Sequence, residues 1–144
     1  MKKNKLWTVS LLALSLLYLM GCKKKEEIVV TGEGNTVFTQ DFFKGLIKIE
    51  NVGKQKSIDD IESLQVICQD MSEWELTEVP IKENKNPFKM GHVSYALHYS
   101  DGRKIEVVTL GKQVKLIDED GKAVEYEASA EIGLTICDEF NKIK

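Results

Sequence analysis

The sequence predicts an α+β domain: an antiparallel β-meander sheet with two helices packed on one face, in two layers. Three observations predict it. Residues 93–126 alternate apolar and polar side chains between glycine-containing turns. Two other segments, one before and one after, carry apolar residues at helical spacing. The 144-residue chain has no internal repeat, so these elements belong to one core.

In chain order, Gly45 to Glu50 reads as a strand closed by Asn51-Val52-Gly53. Ser57-Ile58-Asp59-Asp60 reads as a helix start, with Ser57 as the cap and the aspartates at the positive end of the helix dipole. Ile61, Leu64, Ile67, Cys68 and Met71 then fall on one stripe. Trp74, Leu76 and Val79 alternate until Pro80, which ends the run or confines it to an edge. Residues 82–91 form a polar loop. Val93, Tyr95, Leu97 and Tyr99 share one strand face, and Asp101-Gly102 follows as a two-residue hairpin turn. Ile105, Val107 and Thr109 alternate next, Gly111-Lys112 turns, and Val114 and Leu116 lead through Asp120-Gly121 to Val124 and Tyr126. Ser129 is expected to cap a last helix bearing Ile132, Ile136, Cys137, Phe140 and Ile143 on one side. Such helices and such a sheet bury their apolar surfaces against each other. His92, Ser94, His98, Lys104, Glu106, Lys115 and Glu125 are left on the opposite sheet face, which is expected to be wet or to meet a partner.

The start of the chain has a different character. Lys2, Lys3 and Lys5 precede an apolar stretch from Leu6 to Leu19, and Leu19-Met20-Gly21-Cys22 follows. A charged head, a short oily segment and a small residue before a cut site make a secretory signal peptide. The apolar stretch is about 14 residues, short of the roughly 20 that span a bilayer. Leu19-Met20-Gly21-Cys22 resembles the lipobox of bacterial lipoproteins, with Met20 bulkier than the small residue usual there. The resemblance implies that Cys22 receives a diacylglyceryl group and becomes the mature N-terminus. Two acyl chains hold a protein on a membrane where one does so only marginally. Lys23 to Lys25 add attraction to anionic headgroups. The expected organisation is a signal peptide over 1–21, a lipidated tether over 22–36 and one α+β domain over 37–144. Residues 28–30 (Ile-Val-Val) are apolar within that tether and offer an alternative as an edge strand.

Loss of Lys2, Lys3 and Lys5 would leave 17 basic against 23 acidic residues, a net charge of −6. With Arg103 as the one arginine, this balance argues against nucleic-acid binding, which needs clustered Lys and Arg. Cys68 and Cys137 fall on the two inward helix stripes, where an oxidising compartment permits either a disulfide or two buried thiols. His92 and His98 lie about 20 Å apart along a strand and cannot share one metal ion. Asp118-Glu119-Asp120-Gly121 places its glycine too early for an EF-hand and reads as a turn. No nucleophile elbow, catalytic Cys–His set or phosphate-binding glycine loop is present in the sequence. The expectation is a non-enzymatic chain with no cofactor and no metal. Phe42, Phe43, Trp74, Phe88 and Met90 are the apolar candidates for exposure. Phe88 and Met90 sit in the polar loop and form the candidate contact surface.

Ile58-Asp59-Asp60-Ile61, Tyr99-Ser100-Asp101-Gly102-Arg103 and the terminal helix together resemble the small lipoproteins of Gram-positive bacteria. That resemblance implies a domain anchored on the outer face of the cell membrane, or on an outer membrane in a double-membrane cell. It implies a partner that is an envelope protein or a peptide, as in lipoproteins that confer immunity or exclusion. A structural or accessory subunit of a membrane complex is the alternative.

Overall fold

The computed structural model describes residues 26–81 and 91–144. They form a seven-stranded antiparallel sheet with helices packed on one face. The strands are β1 (Leu46–Asn51), β2 (Lys56–Ile58), β3 (Leu76–Val79), β4 (Val93–Tyr99), β5 (Lys104–Leu110), β6 (Gln113–Ile117) and β7 (Ala123–Ala128). The helices are α1 (Gln40–Phe43), α2 (Ile61–Glu73) and α3 (Leu134–Asn141). Strand order is β2-β1-β4-β5-β6-β7-β3.

The expected meander is therefore the centre of the sheet, with β1–β2 added at one edge and β3 at the other. Its turns differ in kind. Gly102 alone takes a positive φ (90°), its N–H bonds the Tyr99 carbonyl, and Tyr99 N–H bonds the Arg103 carbonyl. This is a three-residue loop in which a glycine follows the turn, rather than the expected two-residue one. Asp118 to Lys122 repeats it, with Gly121 at φ 78°. Between them, Gly111-Lys112 is a two-residue turn that joins paired Leu110 and Gln113, with glycine first as that turn requires.

Both long helices start later than expected. Ser57 lies in β2, opposite Glu50, and Asp60 caps α2 by accepting from Ser63 N–H at 2.9 Å. A strand of three residues is too short to leave a period, so the capping aspartate hides behind it. Those hydrogen bonds hold the Asp60 carboxyl below its ordinary value. Gly133, in the left-handed region at φ 83°, begins α3, while Ser129 donates instead to Glu75 Oε2 at 2.9 Å. Helix α2 continues to Glu73 and Trp74 terminates it, so β3 begins only at Leu76.

The core lies between sheet and helices. Tyr95, Leu97, Tyr99, Val107 and Val114 meet Leu64, Ile67, Cys68, Met71, Ile136 and Phe140. Phe38 and Phe43 are fully buried beside Trp74, and Phe38 meets the indole edge-on at 5.5 Å between centroids. Phe43 and Trp74 are thus core residues, and Phe42 packs partly against them.

The segment expected to be a tether is docked from Ile28 onward. Ile28 is 6 % exposed and part of the core. Gln65 both donates to and accepts from Val29, Gln40 does the same for Val30 N–H and the Ile28 carbonyl, and Gln69 accepts from Thr31 N–H. Gly32 and Gly34 press against Ser72 and Glu73 so closely that a Cβ would collide with the backbone. Asn35 Nδ2 then reaches the Met71 and Trp74 carbonyls at 2.9 and 2.8 Å, adding a side-chain donor at the end of α2, where the Met71 carbonyl also accepts from Trp74 N–H. The chain gains no strand here. Its backbone is held by side chains, as a strap along α2.

Candidate functional site

The outer face of the sheet carries no helix among the described residues, and its polar side chains are ordered by strand register. Lys48, His98 and Lys104 stand opposite one another across β1, β4 and β5. The next row is Glu50, Ala96 and Glu106, continued by Ile117 on β6. Ser94, Val108, Lys115 and Glu125 make a third. A row carrying lysines thus neighbours one carrying glutamates.

Ala96 is fully buried between its neighbours and Val108 is 6 % exposed. Glu50 and Glu106 flank Ala96 in register, and Ser94 and Lys115 flank Val108. The Ser94 hydroxyl donates to Glu106 Oε1. His98 Nε2 is buried and has no hydrogen-bond partner among the described residues. Burial disfavours the charged imidazolium, and Lys48 and Lys104 push the same way, so His98 titrates below its ordinary value although Glu50 opposes them. At neutral pH the face presents a neutral ring between two ammonium groups.

At one end of this face the β4–β5 turn is stiffened. Asp101 accepts from both the backbone and the guanidinium of Arg103, and that guanidinium lies 4.5 Å over the Tyr99 ring.

Of the site residues expected from sequence, the described structure places some and not others. Cys22, Phe88 and Met90 lie outside the described residues. Cys68 and Cys137 are free thiols rather than a disulfide. Cys68 is buried in the core, and burial raises its thiol far above the reactive range. Cys137 is half-buried, with Sγ 3.6 Å from the Tyr95 hydroxyl. His92 precedes β4 and is exposed. Among the described residues no group of three His, Cys, Asp or Glu side chains is arranged to hold a metal ion. No described helix is long and apolar enough to cross a membrane.

The sequence reading named His98, Lys104, Glu106, Ser94, Lys115 and Glu125 for this face, and the register brings them together. It missed Lys48 and Glu50, although Ile47-Lys48-Ile49-Glu50 alternates apolar and charged residues and carries the signal that finds them. The chain matches no family model, and neither curated proteins nor solved structures show significant similarity to it.

Proposed function

We propose that this chain is a lipid-anchored extracytoplasmic lipoprotein whose domain is a non-catalytic binding module at the cell envelope. The anchor rests on Leu19-Met20-Gly21-Cys22 behind a basic and apolar leader. The observation that carries the binding role is the outer sheet face, where five charged or titratable side chains on three adjacent strands stand without a covering layer among the described residues: Lys48, Glu50, His98, Lys104 and Glu106. A face of mixed charge fits a polar protein or peptide partner, and its register fixes which charges meet that partner. Nucleic acid fits poorly, because the acidic rows oppose phosphate.

Two measurements test the reading. Intact-mass analysis of the protein from native membranes should find Cys22 carrying acyl chains and residues 1–21 absent. Photo-crosslinking in whole cells from position 104 should capture a discrete envelope component, whereas the same probe at the exposed Val66 of α2 should not. An unmodified Cys22 ends the lipoprotein reading, and equal capture from both positions ends the assignment of the face.

A further inference from the structure

We propose that the docked strap fixes which end of the domain faces the bilayer, holding the β4–β5 and β6–β7 turns near the lipid and the β5–β6 turn away from it. This inference rests on acylation of Cys22.

Ile28 is the first of the described residues built into the core, and Lys23 to Glu27 separate it from Cys22. Six Cα-to-Cα steps span about 20 Å when fully extended. A random coil of that length has an r.m.s. reach of only about 13 Å. A tether running to residue 36 would more than double that contour. The three glutamine contacts and the Gly32–Gly34 approach to α2 remove that slack.

Where Ile28 docks is also defined. It lines a cleft with Leu46 at the start of β1, Ile61 at the start of α2, and Ser100 in the β4–β5 turn. The β6–β7 turn shares this end of the sheet, since Gly102 and Lys104 line a second depression with Asp118 and Glu119. The Gly111-Lys112 turn is at the other end of β5, whose length puts it about 25 Å further along the strands. To stand on the Gly111-Lys112 turn with the other end pointing away, the domain would lift Ile28 about 25 Å from the lipid, beyond the tether's contour of about 20 Å. The domain can lean, but it cannot invert.

The near end is not a lipid-binding surface. Glu26, Glu27, Asp101, Asp118, Glu119 and Asp120 outnumber Lys44, Arg103, Lys104 and Lys122 there. Anionic headgroups repel such an end within a Debye length of about 8 Å, while Lys23 to Lys25 are drawn down. The domain is close to the membrane without adhering to it.

The test uses acylated full-length protein in vesicles of phosphatidylglycerol and phosphatidylethanolamine with a headgroup-bound quencher. A fluorophore is placed at Asp120→Cys or at Lys112→Cys, in a Cys137→Ser background because Cys137 is partly accessible. Quenching at position 120 should exceed that at position 112 at least twofold. Inserting a flexible Gly/Ser segment of about 15 residues after Glu27 should bring the two towards parity, because the reach then matches the domain. Equal quenching without the insertion, or an asymmetry that survives it, overturns the orientation. Intact mass read on the same sample separates the causes: an unacylated Cys22 removes the anchor reading itself, and an acylated protein without asymmetry removes only this inference.

Discussion

The two faces of β4 bury their residues by different means. Tyr95, Leu97 and Tyr99 are 1–2 % exposed because α1, α2 and α3 lie over them. Ala96, between them in sequence and fully buried, points to the other side, where no helix lies over it among the described residues and Glu50 and Glu106 flank it in register. The first kind of burial removes large apolar groups from water and stabilises at about 25 cal/mol per Å². The second removes little area and leaves charged tips outside. Low exposure therefore marks the core on one face and a well-ordered polar surface on the other.

Substitutions at the two faces should separate accordingly. The largest loss is expected at Phe38, in contact with Phe42, Phe43 and Trp74. Phe38→Ala should cost about 3–5 kcal/mol in urea unfolding. A cost under about 1 kcal/mol would mean that the aromatic cluster is not a load of buried area at all. Gly34→Ala should cost about 1–3 kcal/mol, because the added methyl meets the Glu73 backbone and must lift the strap. Proteolysis between residues 28 and 36 should become faster in that variant and remain slow in the parent.

Asp60→Ala should cost about 1 kcal/mol through loss of the α2 cap. Its carboxyl titrates below its ordinary value in the folded protein, so the contribution is present above the unfolded value and is lost as pH falls through the folded one. A thermal-melt series from pH 6 to pH 3 should show the parent and Asp60→Ala converging at the acid end.

On the outer face, Lys48→Glu together with Lys104→Glu should change unfolding free energy by less than about 0.5 kcal/mol while abolishing capture by a photo-crosslinker placed at position 50 of the same face. A large loss of stability would place these lysines in the structural class instead. The smallest effect concerns His98. Its folded value lies below the unfolded one, so the unfolded chain binds the extra proton first. Stability should fall as pH drops from about 6.5 towards the lower folded value, and His98→Gln should flatten that slope in melts between pH 7.5 and 5.5. An unchanged slope would show that Glu50 offsets burial and both lysines.

The central strands were legible because Val93 to Tyr99 alternates cleanly and glycines punctuate the turns. The same period placed His98, Lys104 and Glu106 on a common face before any contact was known. Helix starts were less legible: Ser57 and Ser129 are both chemically able to cap, and tertiary pairing gave one to β2 and the other to Glu75. Of the strap only the apolar run Ile28 to Val30 was legible, and as an edge strand rather than a docked coil. The rest is polar and glycine-containing, as a linker is, and the strap is held by Gln40, Gln65, Gln69 and Asn35 contacting its backbone or helix ends. Hydrogen bonds of that kind have no sequence period.

Asn35 has one more consequence, for anyone preparing a soluble form. Trimming back to residue 37 looks harmless, since what is removed resembles spacer. Such a product would lose the Ile28 side chain from the interior and the Asn35 amide from the carbonyls at the end of α2. The trimmed polypeptide should expose an oily furrow along that helix and clump at concentrations where one retaining residues 26–36 stays dispersed.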